Sequence, residues 1–475
     1  MRKGKLAARA SGLGLAACAS LMLAAPGGGF AATASVQLVR GLDTGFDDHE
    51  FESTHAADRR FLFDRARAAG AGIVRLGVSW RGVVAEEPPA HPRNPRDSSY
   101  HFSVVDAAVR DASARGFRIM FTVASAPGWA EGSHRPDAAP SGSWRPDPKA
   151  LGNLARALAT RYSGHFKPSG EKALPRVRYY EAWNEANLSS YLSPQWDGSS
   201  YVGAGLYAKM LNSFYSQIKA VNRSNVVISA GFAPYGDPHG GRRTRPLKFL
   251  RDLLCLRGRR ALAPTACPHP AKFDVLGVHA ISLSGGPAES AINPDDVTAA
   301  DLGHVRRVLR AAERQATLGT GGAHPIWTTE LWHLSPSFKQ QAYWLEQALY
   351  EVWKYGSSVA MNLQVRDSAG NAYDPPGGVH QSPGVIFPNG KRKPSFTAFR
   401  FPFVVRRSHG RLQAWLKAPR SGRLTIQHKL RDRWHSVTSA RVERGNVYLG
   451  RLPRHSRGLF RAVVGGKKSL PWRDG

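Results

Sequence analysis

Residues 177–188 read VRYYEAWNEANL. The first seven have the length and composition of a buried strand, and the strand ends by presenting Asn184 and Glu185 side by side. Residues 325–332, PIWTTELW, repeat the arrangement and present Glu330. Working outward from these two, six further apolar runs of the same kind appear. The predicted strands are Val36–Leu42, Gly72–Trp80, Phe117–Ala124, Val177–Trp183, Val226–Phe232, Phe273–Ile281, Pro325–Leu331 and Ser358–Val365.

Between them lie runs whose apolar residues recur every three or four positions, as in Leu206, Met210, Leu211, Phe214 and Ile218. These predict helices over Ala56–Ala69, Val104–Arg115, Lys149–Phe166, Tyr201–Val221, Arg245–Leu256, Leu302–Thr317 and Phe338–Tyr355. Near-continuous apolar strands alternating with helices imply a parallel sheet covered on both faces. Eight such units fit an α/β (β/α)8 barrel. The alternative is a doubly wound open sheet, but no glycine-rich fingerprint follows the first strand.

From about Val404 the pattern changes. Short alternating runs (Leu412–Leu416, Arg423–His428, Val437–Val442, Val447–Leu449, Leu459–Val464) separated by Gly, Pro and Ser predict a small antiparallel β-sandwich. The N-terminus has the layout of a secretory signal: Arg2, Lys3 and Lys5, then the apolar Gly12–Pro26, then Ala32-Thr33-Ala34. The expected division is a signal segment over 1–34, a barrel over 35–403 and a basic sandwich over 404–475. Export is expected, with the lipobox-like Leu15-Ala16-Ala17-Cys18 leaving a lipidated form as the less favoured alternative.

Of three cysteines, Cys18 belongs to the signal segment. Cys255 and Cys267 then form an isolated pair, and the short segment between them favours a disulfide in an oxidising compartment. A metal site there would need more ligands than the nearby His269 supplies, and no metal is expected.

The net charge of +31 is uneven: residues 391–475 hold 22 Lys and Arg against 3 Asp and Glu, which leaves +12 for the rest. An anionic cell-wall polymer is one partner for such a tail, but a bracing role on the barrel with compositional arginine bias is the preferred reading. No helix-turn-helix, zinc-finger or RNP-like pattern is present, so nucleic acid is not an expected partner. A monomer is expected.

Two carboxylates, each at the C-terminal end of a buried strand, are what retaining glycoside hydrolysis uses, and that end of a barrel is where active sites sit. G-x-S-x-G, H-E-x-x-H and P-loop motifs are absent. The residues Asp47, Asp48, His49 and Glu50 form a polar cluster after the first strand, read as a solvated loop in preference to a metal site.

Trp-Asn-Glu on a fourth strand with Thr-Glu on a seventh resembles glycoside hydrolase clan A, in particular its family 5 and family 39-like members. VRLGVSW at 74–80, ASAPGWA at 124–130, FDVLGVHAIS at 273–282 and KPSFTAFR at 393–400 extend the resemblance over about residues 36–403. It implies a (β/α)8 barrel that works without a cofactor on a carbohydrate. In that reading Glu185 is the acid/base and must carry a proton near neutral pH, and Glu330 is the ionised nucleophile. Asn184 would hold the sugar 2-hydroxyl, and Arg75 would stand beside the nucleophile. His279 would line the pocket, and Trp80, Trp129 and Trp332 would be candidates for stacking on sugar rings.

Three departures stand out. Ala186 replaces the Pro that usually follows Trp-Asn-Glu. Ala280-Ile281 follows His279 where relatives carry Pro-Tyr, so a hydrogen bond to the nucleophile must come from elsewhere or be absent. The eighth strand offers Gln364 where a Trp often sits under the sugar. A sugar-binding barrel without catalysis and a basic envelope-binding protein are the alternative readings.

Overall fold

The computed structural model describes residues 40–283, 285–368, 382–408, 410–453 and 457–474. The signal segment and Cys18 lie outside the described residues.

Eight strands form one parallel sheet: β1 Asp43–Asp47, β2 Ile73–Ser79, β3 Arg118–Ala124, β4 Tyr179–Ala182, β5 Val226–Ser229, β6 Leu276–Ser282, β7 Ile326–His333 and β8 Ser357–Leu363. Their order is β6-β7-β8-β1-β2-β3-β4-β5. Parallel bridges Ile228–Val275 and Phe232–Val278 join its two ends, so the sheet closes as a barrel. Among the described residues the helices are α1 Ala56–Ala68, α2 Ser103–Ala114, α3 Pro148–Arg161, α4 Gly203–Val221, α5 Pro246–Leu253, α6 Leu302–Arg314, α7 Phe338–Lys354 and α8 Pro394–Arg400. The (β/α)8 expectation is met.

One strand is displaced. The first runs over Asp43–Asp47, not Val36–Leu42; residues 36–39 lie outside the described residues and 40–42 are not strand. The apolar run VQLV drew the sequence reading upstream. The true strand, DTGFD, carries polar ends because Asp47 faces the mouth of the barrel.

Local chemistry fixes the ends of the helices. Asp147 accepts from Ala150 N at 2.6 Å with Pro148 in the first turn of α3, and Ser337 accepts from Gln340 N at 3.1 Å ahead of α7. The inside of the barrel is layered. Ile73, Met120, Ile228, Trp327, Val359 and Met361 fill its lower part. Because side chains alternate along a strand, the next inward position is two residues on. There Arg75, Thr122 and Glu181 replace the apolar layer with a polar one.

After α8 the chain forms two antiparallel sheets. One contains β9 Phe403–Ser408, β10 Arg411–Lys417 and, later in the chain, β13 Val447–Arg451. The other is built on β11 Gly422–Leu430, β12 Arg433–Val442 and β14 Leu459–Val464, extended by the short pairs Lys467–Lys468 and Trp472–Arg473. This is the expected sandwich. It packs on α7: Trp415 meets Tyr350 and Trp353, Trp472 stacks on Tyr343 at 4.0 Å, and buried Glu346 accepts from Phe403 N at 3.3 Å. No helix among the described residues is long and apolar enough to cross a membrane.

Candidate active site

The polar layer converges on one side chain. Arg75, from β2, is 5% exposed, so its charge requires partners. Its Nε lies 2.7 Å from Thr122 Oγ1 on β3 and 2.8 Å from Glu181 Oε2 on β4. Its Nη2 donates to Asn184 Oδ1 at 2.7 Å, and its Nη1 donates to Glu330 Oε1 at 2.7 Å and to Asp47 Oδ2. Burial opposes the guanidinium charge, but Glu181, Asp47 and Glu330 outweigh it and hold Arg75 well above its ordinary range. Arg75 therefore lies beside Glu330, where the resemblance put it, and supplies the hydrogen bond that Ala280-Ile281 cannot.

Asn184 and Glu185 leave β4 on a strained turn. Trp183 has φ +80° and Glu185 φ +39°, both in the left-handed region. The turn is held by Trp183 Nε1 donating to Tyr191 O at 2.8 Å and by Glu185 N donating to Gly231 O at 3.0 Å. Asn184 spends its oxygen on Arg75, and its amide group lies beside the Tyr191 hydroxyl. Ala186, where Pro was expected, is fully buried.

His279 stands between the two carboxylates. Its Nδ1 is 2.8 Å from Glu185 Oε1, and its Nε2 is 3.5 Å from Glu330 Oε1, an electrostatic contact longer than a hydrogen bond. A register irregularity between Val278 and His279 turns this residue toward Glu330 on β7. The ring is fully buried. Burial opposes its charge, yet Glu330 and then Glu185 raise its pKa above the usual value. Oxygens of Glu185 and Glu330 and a nitrogen of His279 all lie within 4.8 Å of one another. These donor types could ligate a metal, but the 2.8 Å contact between Nδ1 and Oε1 is a hydrogen bond with no room for an ion between two ligands.

The remaining site residues are placed unequally. Trp129, in the short turn Gly128–Ala130 after β3, and Trp332, near the end of β7, are half-buried, and the Trp332 indole N–H is buried without a hydrogen-bond partner. Gln364, at φ +72° after β8, sends its amide toward His49 Nδ1 at 3.4 Å. Trp80 is a correction. It is 1% exposed and packed edge-on against Trp129, so it supports that ring and offers no face to a sugar.

The loop after β1 is a second correction. Asp48 is 1% exposed and accepts from Glu50 N at 3.0 Å and Val365 N at 2.8 Å, tying β1 to β8; burial pushes its carboxyl up to about 6. Asp47 faces Arg75, and burial likewise raises it to about 6 despite the guanidinium. Neither belongs to a solvated loop.

Sequence reasoning also missed Glu181 and Gly231. Glu181 carried a signal, since a carboxylate inside YYEAW needs a buried cation. Gly231 gave none. It donates to Glu181 Oε1 at 3.2 Å, and a Cβ there would meet His279 Nε2 at 2.1 Å.

Away from the site, Cys255 and Cys267 are bonded, with Cα atoms 5.4 Å apart.

No family model and no curated protein matches this sequence. Solved structures do match in fold. A family 39 glycoside hydrolase from the gut symbiont Bacteroides cellulosilyticus WH2 superposes with a TM-score of 0.52 at 16% identity, over 87% of this chain and 81% of that one. A family 30 subfamily 8 xylanase from Clostridium acetobutylicum gives 0.46 at 11% identity, over 89% and 98%. The first likeness shows the (β/α)8 barrel fold, the fold that the motifs implied.

Proposed function

We propose that the chain is an exported glycoside hydrolase that cleaves O-glycosidic bonds of an oligo- or polysaccharide with retention of configuration. The observation that carries this reading is the spacing of Glu185 and Glu330, with oxygens within 4.8 Å across His279. Retaining enzymes hold their carboxyl groups about 5–5.5 Å apart, whereas inverting enzymes need roughly 6.5–9.5 Å to admit a water. The fold and the signal-like N-terminus support the rest of the reading.

Arg75 holds Oε1 of Glu330 and leaves the other oxygen to attack the anomeric carbon. As that C–O bond forms, the bond to the leaving oxygen breaks and Glu185 donates its proton to it. The Asn184 amide would hold the sugar 2-hydroxyl, a contact that strengthens in the transition state. A water then attacks the glycosyl ester and gives its proton to Glu185, which frees Glu330. His279 hydrogen-bonds Glu185 through both half-reactions and, when protonated, stabilises the carboxylate that Glu185 becomes.

The test is a panel of activated aryl and unactivated alkyl glycosides, with the product anomer read by NMR. Glu330→Gln should lose turnover on both substrate types. Glu185→Gln should lose far more on the unactivated glycosides, which need protonation. Inverted product, or equal loss on both types in Glu185→Gln, would overturn the assignment.

A further inference from the structure

The sandwich meets α7 through its three-stranded sheet and Trp472, which leaves the other face of the second sheet outward. The register of that sheet identifies the outward side chains. On β11 the buried positions are Leu424, Ile426 and His428, so Arg423, Thr425, Gln427 and Lys429 point away from the core. Their cross-strand partners share the face: Arg441, Ser439, Ser436 and Trp434 on β12, and Val463 and Arg461 on β14. Lys468 and Arg473 continue it through their pairing with Val463 and Leu459.

The face thus carries the cations Arg423, Lys429, Arg441, Arg461, Lys468 and Arg473, and none of these register positions holds an acid. Asp432, in the β11–β12 turn, lies 3.6 Å from Lys429 and is fully exposed. Arg423 and Arg441 are direct cross-strand partners, a like-charge placement that destabilises a sheet unless an anion lies across it. Arg461 is held rigid, its guanidinium 4.1 Å from the Trp434 ring centroid and its Nε donating to Gln427 Oε1 at 2.7 Å. A fixed planar fork beside Ser436, Ser439, Thr425 and Gln427 suits carboxylates borne among hydroxyls.

We propose that this outward face binds an anionic polysaccharide, a carboxylate-bearing glycan strand lying across β12, β11 and β14. The charge matches a polyanion, and the row of hydroxyls and amide between the cations matches sugar hydroxyls. A nucleic-acid strand would look for exposed aromatic platforms, and the one Trp on the face already has Arg461 stacked on it. The site stands independently of the glycosidase reading, since its ligand need not be the chain that is cleaved.

The experiment compares full-length protein with the variant R423Q/R441Q/R461Q on immobilised polygalacturonate. Neutral dextran, a single-stranded oligonucleotide and phosphatidylglycerol vesicles are run alongside. The wild-type protein should bind polygalacturonate at low salt and release as salt rises, because exposed charges are screened within about 8 Å at physiological ionic strength. The variant should bind about tenfold or more weakly while still unfolding in one cooperative thermal transition. Undiminished binding by the variant overturns the proposal, as does equal retention on dextran. Tighter, equally variant-sensitive binding to the oligonucleotide or the vesicles would assign the face to those partners instead.

Discussion

Replacing Gly231 by Ala tests the site through a residue that touches no substrate. A Cβ there would stand 2.1 Å from His279 Nε2 and 2.6 Å from Thr329 Oγ1. Ordinary contact needs about 3.5 Å, so the imidazole must retreat by about 1.4 Å. The ring is fully buried, with Glu185 at 2.8 Å and Glu330 at 3.5 Å, so a retreat disturbs both contacts. The retreat takes Nδ1 out of hydrogen-bond range of Glu185. Misplacing a catalytic group by about 1 Å costs on the order of 10²-fold in rate, or about 2.7 kcal/mol. Overpacking adds about 1–3 kcal/mol of instability. The backbone at Gly231 is not left-handed, so the penalty comes from contact. The assay is kcat on an aryl glycoside that the wild-type enzyme turns over, with thermal unfolding alongside. In a His279→Ala background the same substitution should cost much less, since the two changes act through one contact. A Gly231→Ala enzyme with kcat within about twofold of wild type would refute the reasoning.

Two further outcomes follow from burial. Asp47 titrates near 6 in the folded protein and near ~3.9 unfolded, so between those values the folded state keeps a proton that the unfolded chain has released. Wild-type stability should therefore fall, relative to Asp47→Asn, as pH rises from ~4 to ~6, by up to ~3 kcal/mol, and level off above; parallel melting curves across that window would contradict it. Trp80→Phe should lower the melting temperature and leave KM nearly unchanged, while Trp129→Ala should raise KM, and the reverse pattern would return Trp80 to the sugar.

The sequence showed the barrel because its message is repeated: seven of the eight strands announce themselves as apolar runs between amphipathic helices. The exception, DTGFD, was hidden because a strand ending in a functional carboxylate loses its apolar signature. Glu185 and Glu330 were legible since each stands near the C-terminal end of an apolar run. Glu181 and Asp47 were harder, because their place depends on which strands become neighbours, and local pattern carries no such information. Trp80 failed for the opposite reason: an indole at a strand end reads alike whether it faces a ligand or props up another indole. Gly231 has no side chain, and its importance is a space that His279 occupies.

Arg75 has a consequence for assembly as well as for chemistry. The groups it holds arrive on β1, β3, β4 and β7, so they meet only when the sheet has closed in one alignment. A slip of β7 by one residue would turn Glu330 toward the helices and leave the guanidinium short of an anion. Asp47 and Glu181 would remain, but losing one charge-assisted hydrogen bond from a buried network costs about 1.5–3 kcal/mol, a sizeable fraction of a protein's whole stability. The guanidinium thus proofreads the barrel, rejecting misaligned closures before any substrate arrives.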